Sequence, residues 1–288
     1  MSSTESMWWT LPALPSGVRL LTDEERERLH AERPTLPPSP HAGACVTCVG
    51  RGEFRRYPLA AGGTFDYTSD PVVYRCSCVD QWILHRYLLN AGIGTYYGRL
   101  YWADLAGIER SAYEFVASYL EDVSSFLQAG LGLLLHGKRG TGKTLIVTLL
   151  LKSLLAQGVD AYFTTFGDAI ERFASGWRSD EDKRWFHARI KNAQVLAIDD
   201  PGKEMSGRAQ VPQAVLDEVI RHRVASQMPT LVMTNLSLDD FGSRYGEYVL
   251  SLLQESCWTH EFTGKDWRPQ ARDRKAREAH LKRPVWIG

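Results

Sequence analysis

Gly137-Lys138-Arg139-Gly140-Thr141-Gly142-Lys143-Thr144 is the stretch that decides the fold of this chain. The eight residues fit the pattern G-x-x-x-x-G-K-T. The apolar run Leu131–His136, of buried-strand length, leads into them. Lys143–Gln157 follows with helical apolar spacing and stops at Gly158, a suitable residue just past a helix end. Strand, glycine loop and helix in that order give the pattern its meaning. Glycines let the backbone wrap closely around a phosphate, and successive N–H groups with the helix N-terminus receive its charge. All eight residues are therefore candidate phosphate ligands, with Lys143 reaching β- and γ-phosphates and the Thr144 hydroxyl binding Mg²⁺.

Downstream, Val195–Asp199 is a hydrophobic strand ending in two acids, Asp199 and Asp200. The first acid at such a strand end can hold the Mg²⁺ hydration shell, and the second can polarise an attacking water. Asp199-Asp200-Pro201-Gly202 also fits a D-x-x-G, but the chain contains no N-K-x-D to read guanine, which favours ATP. Thr230–Thr234 predicts another strand, with Asn235 at its tip placed to orient water. Asn-Leu-Ser at the same place is also a helix-capping start. Ala161–Thr165 completes the set of short apolar runs. Val215, Leu216, Val219, Ile220 and Val224 form one face of a helix between the last two of them. Alternation of this kind predicts an α/β fold, a mainly parallel sheet covered by helices.

The whole chain has 288 residues, 44% apolar and 24% charged, and Lys plus Arg equals Asp plus Glu at 34 each. That composition excludes a disordered or collagen-like chain and a small disulfide scaffold. Zero net charge gives no global pull toward nucleic acid or anionic lipid, so such binding needs a local patch. No spanning helix and no secretory signal are predicted, and a cytoplasmic protein is expected. Four of the five cysteines form two tight pairs, Cys45-x-x-Cys48 and Cys76-x-Cys78, and such pairs can supply a tetrahedral set of thiolates to Zn²⁺. His41 and His85 are possible substitute ligands. Cys257 lies on an apolar segment and reads as a small core residue. Gly62-Gly63 between Phe54–Tyr57 and Val72–Tyr74 predicts a ribbon of hairpins around the cysteines.

The order of motifs now carries a resemblance. The P-loop, the Asp-Asp strand, Thr234-Asn235-Leu236-Ser237 and Arg244-Tyr245-Gly246-Glu247 resemble the AAA+ subfamily of DnaC/DnaI bacterial helicase loaders and IstB-type transposition ATPases. Ala91-Gly92-Ile93 and Gly202 with Glu204 match further, and the resemblance covers residues 88 to 270. It implies an AAA+ sheet with a reduced helical lid, Lys143 and Thr144 on nucleotide and Mg²⁺, and Asp199 on the metal. It also implies Asp200 for water activation, Asn235 as sensor 1 and, within Gly264-Lys265-Asp266-Trp267-Arg268, Arg268 as the sensor 2 candidate. The bland reading of Arg268 is a solvated surface charge. One departure stands out. The resemblance implies arginines at two places that here hold Tyr248 and Leu252, so assembly-stimulated hydrolysis is expected to be weak, with Arg244 or a partner as substitute cation.

The expected organisation is a tail and Pro-rich linker at 1–40, a zinc-ribbon-like module at 41–90, the AAA+ ATPase domain at 91–270 and a basic tail at 271–288. Between the second and third predicted strands, Phe173-Ala174-Ser175-Gly176-Trp177-Arg178 and Lys183-Arg184-Trp185-Phe186 interleave aromatics with cations, a chemistry suited to single-stranded DNA. Trp177, Arg178, Lys183 and Arg184 are the candidate contacts, while Phe173 and Phe186 can equally pack the helices together. The resemblance implies a self-associating, ATP-switched loader of a replicative DnaB-type helicase. An IstB-like regulator of a transposase and a nucleotide-binding adaptor with negligible turnover are the alternatives.

Overall fold

The computed structural model describes residues 53–58, 66–75, 84–85, 87–105, 110–176, 179–202 and 210–277. In its first part β1 (Glu53–Arg56) pairs antiparallel with β2 (Val72–Arg75), Phe54 opposite Tyr74, in line with the hairpin expected of Phe54–Tyr57 and Val72–Tyr74. Tyr67, Val72, Val73 and Tyr74 are all exposed on this ribbon. The Cys45, Cys48, Cys76 and Cys78 set lies outside the described residues, as do His41, the Gly62-Gly63 turn and the tail at 1–40.

Residues 84–85 and 87–90 are helical, and Leu84 and Leu88 are buried in the same core as Leu150. This stretch, which sequence reading placed in the module at 41–90, supplies core to the α/β domain. Helix α1 (Thr95–Gly98), a 3-10 turn (Trp102–Leu105), α2 (Arg110–Glu121) and α3 (Val123–Ala129) follow.

The α/β domain then runs β3 (Gly132–Gly137), α4 (Lys143–Ala156), β4 (Ala161–Thr165), α5 (Phe166–Ser175), α6 (Asp180–Phe186), a π-helical turn (His187–Lys191) and β5 (Val195–Asp199). It continues with α7 (Gln210–Ala225), β6 (Thr230–Met233), α8 (Leu238–Tyr245), α9 (Glu247–Ser256), β7 (Cys257–Phe262) and α10 (Arg268–Arg277). The five long strands form one parallel sheet in the order β4-β5-β6-β3-β7. Gly158, at φ +82°, stops α4 where the sequence predicts, its N–H bonded to Leu155 O.

Apolar residues at successive positions of a strand go to opposite faces. Leu133 and Leu135 of β3 join Ala197, Leu231 and Met233 under α4, whereas Leu134 joins Leu196, Ile198 and Val232 under α7. Both faces are covered, which is why these strands read as continuous apolar runs. Each Leu or Ile so buried contributes about 1.5–3 kcal/mol. The predicted face of α7 is realised, with Val215, Leu216, Val219 and Ile220 buried and Val224 packed beside them. Strand β7 is the element the sequence does not signal. It buries only Cys257 and Phe262, because it runs along the edge of the sheet. Cys257 is a core residue, as expected, and burial pushes its thiol up to about 12.

One buried cation was not foreseen. Arg223 of α7 is fully enclosed, and its guanidinium donates to the carbonyls of Ile190, Lys191, Ala193, Gln194 and Pro229 and to Thr230 Oγ1. It ties the π-helical turn before β5 to the start of β6. Burial lowers its pKa to about 9, so it remains charged at neutral pH. Among the described residues no helix is long and apolar enough to cross a membrane.

Candidate nucleotide site

The glycine loop leaves β3 at Gly137 and enters α4 at Lys143. Gly137, Gly140 and Gly142 have φ of +122°, +76° and +103°, values that side-chain-bearing residues rarely adopt. Two of them also admit close neighbours: a Cβ on Gly137 would lie 2.3 Å from Phe262 O, and one on Gly140 would lie 1.9 Å from an Asp266 carboxylate oxygen. Lys143 is buried at the first position of α4, its Nζ donating to Gly137 O at 2.8 Å and Lys138 O at 2.7 Å. Thr141 Oγ1 donates to Lys138 O at 2.9 Å, which further tightens the loop. Arg139 and Lys138 are exposed at its tip.

The strand order brings the rest together. β6 lies between β3 and β5, so the tips of the three inner strands sit side by side. At the tip of β5, Asp199 is buried, and its Oδ2 accepts from Thr144 Oγ1 at 2.9 Å. These two oxygens are a fitting partial ligand set for Mg²⁺, which usually takes one or two protein oxygens and completes its shell with phosphate and water. Asp200 follows in left-handed backbone, φ +59°, with its N–H donating to Met233 O at 2.9 Å. Asn235, just past β6, donates from Nδ2 to Asp200 Oδ1 at 2.5 Å. The helix-capping reading of Asn-Leu-Ser is realised, since Ser237 caps α8 by accepting from Asp240 N, while Asn235 faces the acid.

Gly140, Thr141, Gly142, Lys143 and Thr144 of the loop, with Asp199, Asp200 and Asn235, line a cleft of about 680 Å³, within the range of small-molecule sites. Its far walls were not read from sequence as a wall. One is Tyr96, Tyr97, Leu100 and Asp104; the other is Trp267, Arg268 and Arg274. Burial, aided by Asp199, pushes the Tyr97 hydroxyl up to about 12, so it remains a protonated donor. Arg268 lines the cleft with an exposed side chain, NH1 lying 3.9 Å from Asp266 Oδ2. The segment before it rests on the glycine loop, Trp267 N donating to Gly140 O at 2.9 Å.

Of the DNA candidates, Lys183 and Arg184 are exposed on α6, while Trp177 and Arg178 lie outside the described residues. Phe173 and Phe186 pack together with ring centroids 5.4 Å apart, so they join the helices. A cation that sequence reading missed, Arg172, stacks 4.7 Å over Trp185 and pairs with Asp182. Only the tertiary approach of α5 to α6 reveals it. Where the resemblance implied arginines, half-buried Leu252 packs against the core and exposed Tyr248 lies under the Arg221 guanidinium at 4.5 Å. His85 is buried.

Residues 115–255 match the family model described as IstB-like ATP binding protein. The replicative helicase loader DnaC of Escherichia coli (strain K12) is 22% identical over 150 residues, 51% of this chain and 58% of DnaC. The replicative helicase loader DnaI of Bacillus subtilis (strain 168) is 27% identical over 127 residues, 44% of this chain and 39% of DnaI. The chain therefore spans less than two thirds of either relative. A crystal structure of DnaI shares the fold, with a TM-score of 0.51 at 18% identity, covering 59% of this chain and 94% of that one. Residues 115–255, which hold the phosphate loop, the paired acids and the strand-tip asparagine, are thus similar to the IstB-like ATP-binding proteins.

Proposed function

We propose that the chain is an ATP-driven switch that loads a replicative helicase onto single-stranded DNA. The observation that carries the nucleotide part is the contact of Thr144 with Asp199 beside the Asp200–Asn235 pair, all in one cleft. Likeness to DnaC and DnaI, each described as a replicative helicase loader, supports the choice of partner.

Within this reading each residue has a stated task. Gly137–Thr144 hold the triphosphate through backbone N–H groups, and Lys143 turns from the Gly137 and Lys138 carbonyls to the phosphates. Thr144 and Asp199 hold Mg²⁺. The bound ion supplies neutralisation of the charge that develops on the phosphate oxygens. Asp200 accepts the proton of the attacking water, Asn235 fixes that water and the acid together, and Arg268 adds positive charge from the opposite wall. Turnover is slow: Leu252 is committed to packing and Tyr248 carries no charge, so the surface of α9 offers no cation at either place.

Three further parts belong to the proposal. Cys45, Cys48, Cys76 and Cys78 bind Zn²⁺. Among the described residues of the adjoining ribbon, none of the side chains at 57–58 and 66–74 is buried, which suits a module held by a metal. That module docks the helicase. Trp177, Arg178, Lys183 and Arg184 contact single-stranded DNA, with self-association completing the grip.

The test is capture of partners from the native host with the Asp200→Asn protein loaded with ATP. Recovery of the replicative helicase supports the loader. Recovery of a transposase replaces it with the transposition regulator that the family match also favours. Steady-state hydrolysis with and without single-stranded DNA separates both from an adaptor, which would show no turnover in either condition. Metal analysis of the wild type and of Cys76→Ser decides the zinc assignment.

A further inference from the structure

Helix α10 forms one wall of the cleft yet buries no residue of its own. Apolar packing therefore does not hold it in place, and the polar contacts must. The strongest is between Arg274 and Asp104, NH1 to Oδ1 at 2.9 Å, with the same NH1 3.4 Å from Asp104 O. The two side chains are 22% and 5% exposed, so the pair is largely withdrawn from solvent. Asp104 is itself held, its Oδ2 accepting from Tyr101 N at 2.8 Å. Lys152, fully buried on the helix that begins at Lys143, donates to Leu100 O at 2.6 Å and Gly98 O at 3.3 Å and lies in the field of Asp104. A continuous set of contacts thus runs from the phosphate-binding helix, through the 98–104 wall, to α10.

We propose that the Arg274–Asp104 pair is a latch that holds α10 across the nucleotide cleft and so sets how long nucleotide stays bound, with Lys152 anchoring the fixed side of the latch. Arg274 and Asp104 act as positioning residues. They keep Arg268, at the start of α10, facing the site, and the pair makes no contribution to the bond-breaking step. This inference rests on the nucleotide reading of the cleft.

The experiment uses the full chain and mant-ATP as probe. Release is followed by stopped flow, and amide hydrogen exchange of residues 268–277 is measured without nucleotide. Asp104→Asn keeps the acceptor for Tyr101 N but removes the charge; Arg274→Gln removes the cation. Each is expected to speed release about tenfold, the effect of one hydrogen bond to a charged group, and to raise exchange in α10. The double variant is expected to be no faster than either single one, and Arg274→Lys to recover most of the loss. Variants that release mant-ATP and exchange at wild-type rates, with wild type binding normally, overturn the latch alone. A wild-type protein that binds no mant-ATP overturns the nucleotide reading, and the latch's function with it.

Discussion

Asp200→Asn separates chemistry from architecture at this site. The native residue sits at φ +59°. Asn is among the few residues that tolerate left-handed backbone, so the substitution leaves the turn unstrained. Its side-chain oxygen can still accept from Asn235 Nδ2, and its N–H can still donate to Met233 O. Only the basic carboxylate is lost. Removing a general base is expected to lower the hydrolysis rate about 10²–10⁴-fold, or about 3–5 kcal/mol in barrier, while nucleotide affinity and folding stability stay unchanged. Asp200→Ala gives the contrast. It loses the same base, and a left-handed alanine adds about 1–2 kcal/mol of strain. Single-turnover phosphate release, equilibrium mant-ATP binding and urea unfolding of the three proteins make the comparison. Undiminished hydrolysis by Asp200→Asn would refute the assignment of the base. An Asp200→Ala protein as stable as Asp200→Asn would refute the backbone argument.

Three further outcomes are expected. Arg223→Met removes a donor from five carbonyls, of which Pro229 O still accepts from Leu196 N, and should cost about 3–5 kcal/mol in chemical denaturation, a loss below about 1 kcal/mol counting against the role described. Lys152 is buried and its pKa is lowered to about 7, so the folded state sheds its proton while the unfolded chain keeps it up to the ordinary lysine value of 10.5. Stability should therefore rise with pH between those values, by at most about 1.4 kcal/mol per unit, and Lys152→Met should flatten that rise in urea titrations from pH 7 to 10. Gly137→Ala, whose Cβ meets the backbone of Phe262, should lose about 2–4 kcal/mol of stability. Gly140→Ala, facing only the half-exposed Asp266 side chain, should lose less by thermal unfolding; the reverse order would contradict the geometry.

Legibility from sequence followed burial and locality. Val195–Asp199 is found where its apolar run stands, because a strand buried on both faces must be apolar throughout; Ala161–Thr165, an outer strand buried only at Ala161 and Thr164, is found from its shorter apolar start. The eight-residue loop was legible because its shape is built from backbone and from neighbours in the chain. β7 was not, since an edge strand that buries only its two ends has no run to read. Arg223 gave no signal either: a single arginine on a helix looks solvated until the turn at 187–191 closes over it. The outer walls of the cleft escaped for the same reason, as Asp104 and Arg274 stand 170 residues apart and meet only in the fold.

The strand order has a consequence for how the protein fails under heat. The loop, the paired acids and Asn235 hang on β3, β5 and β6, each hydrogen-bonded to a strand on both sides, while β4 and β7 are the outer strands. Fraying begins at such edges and at weakly docked ends, and inner strands separate only when the cooperative unit opens as a whole. The glycine loop is thus built into the last part of the molecule to come apart, and it should keep its shape until the sheet itself melts.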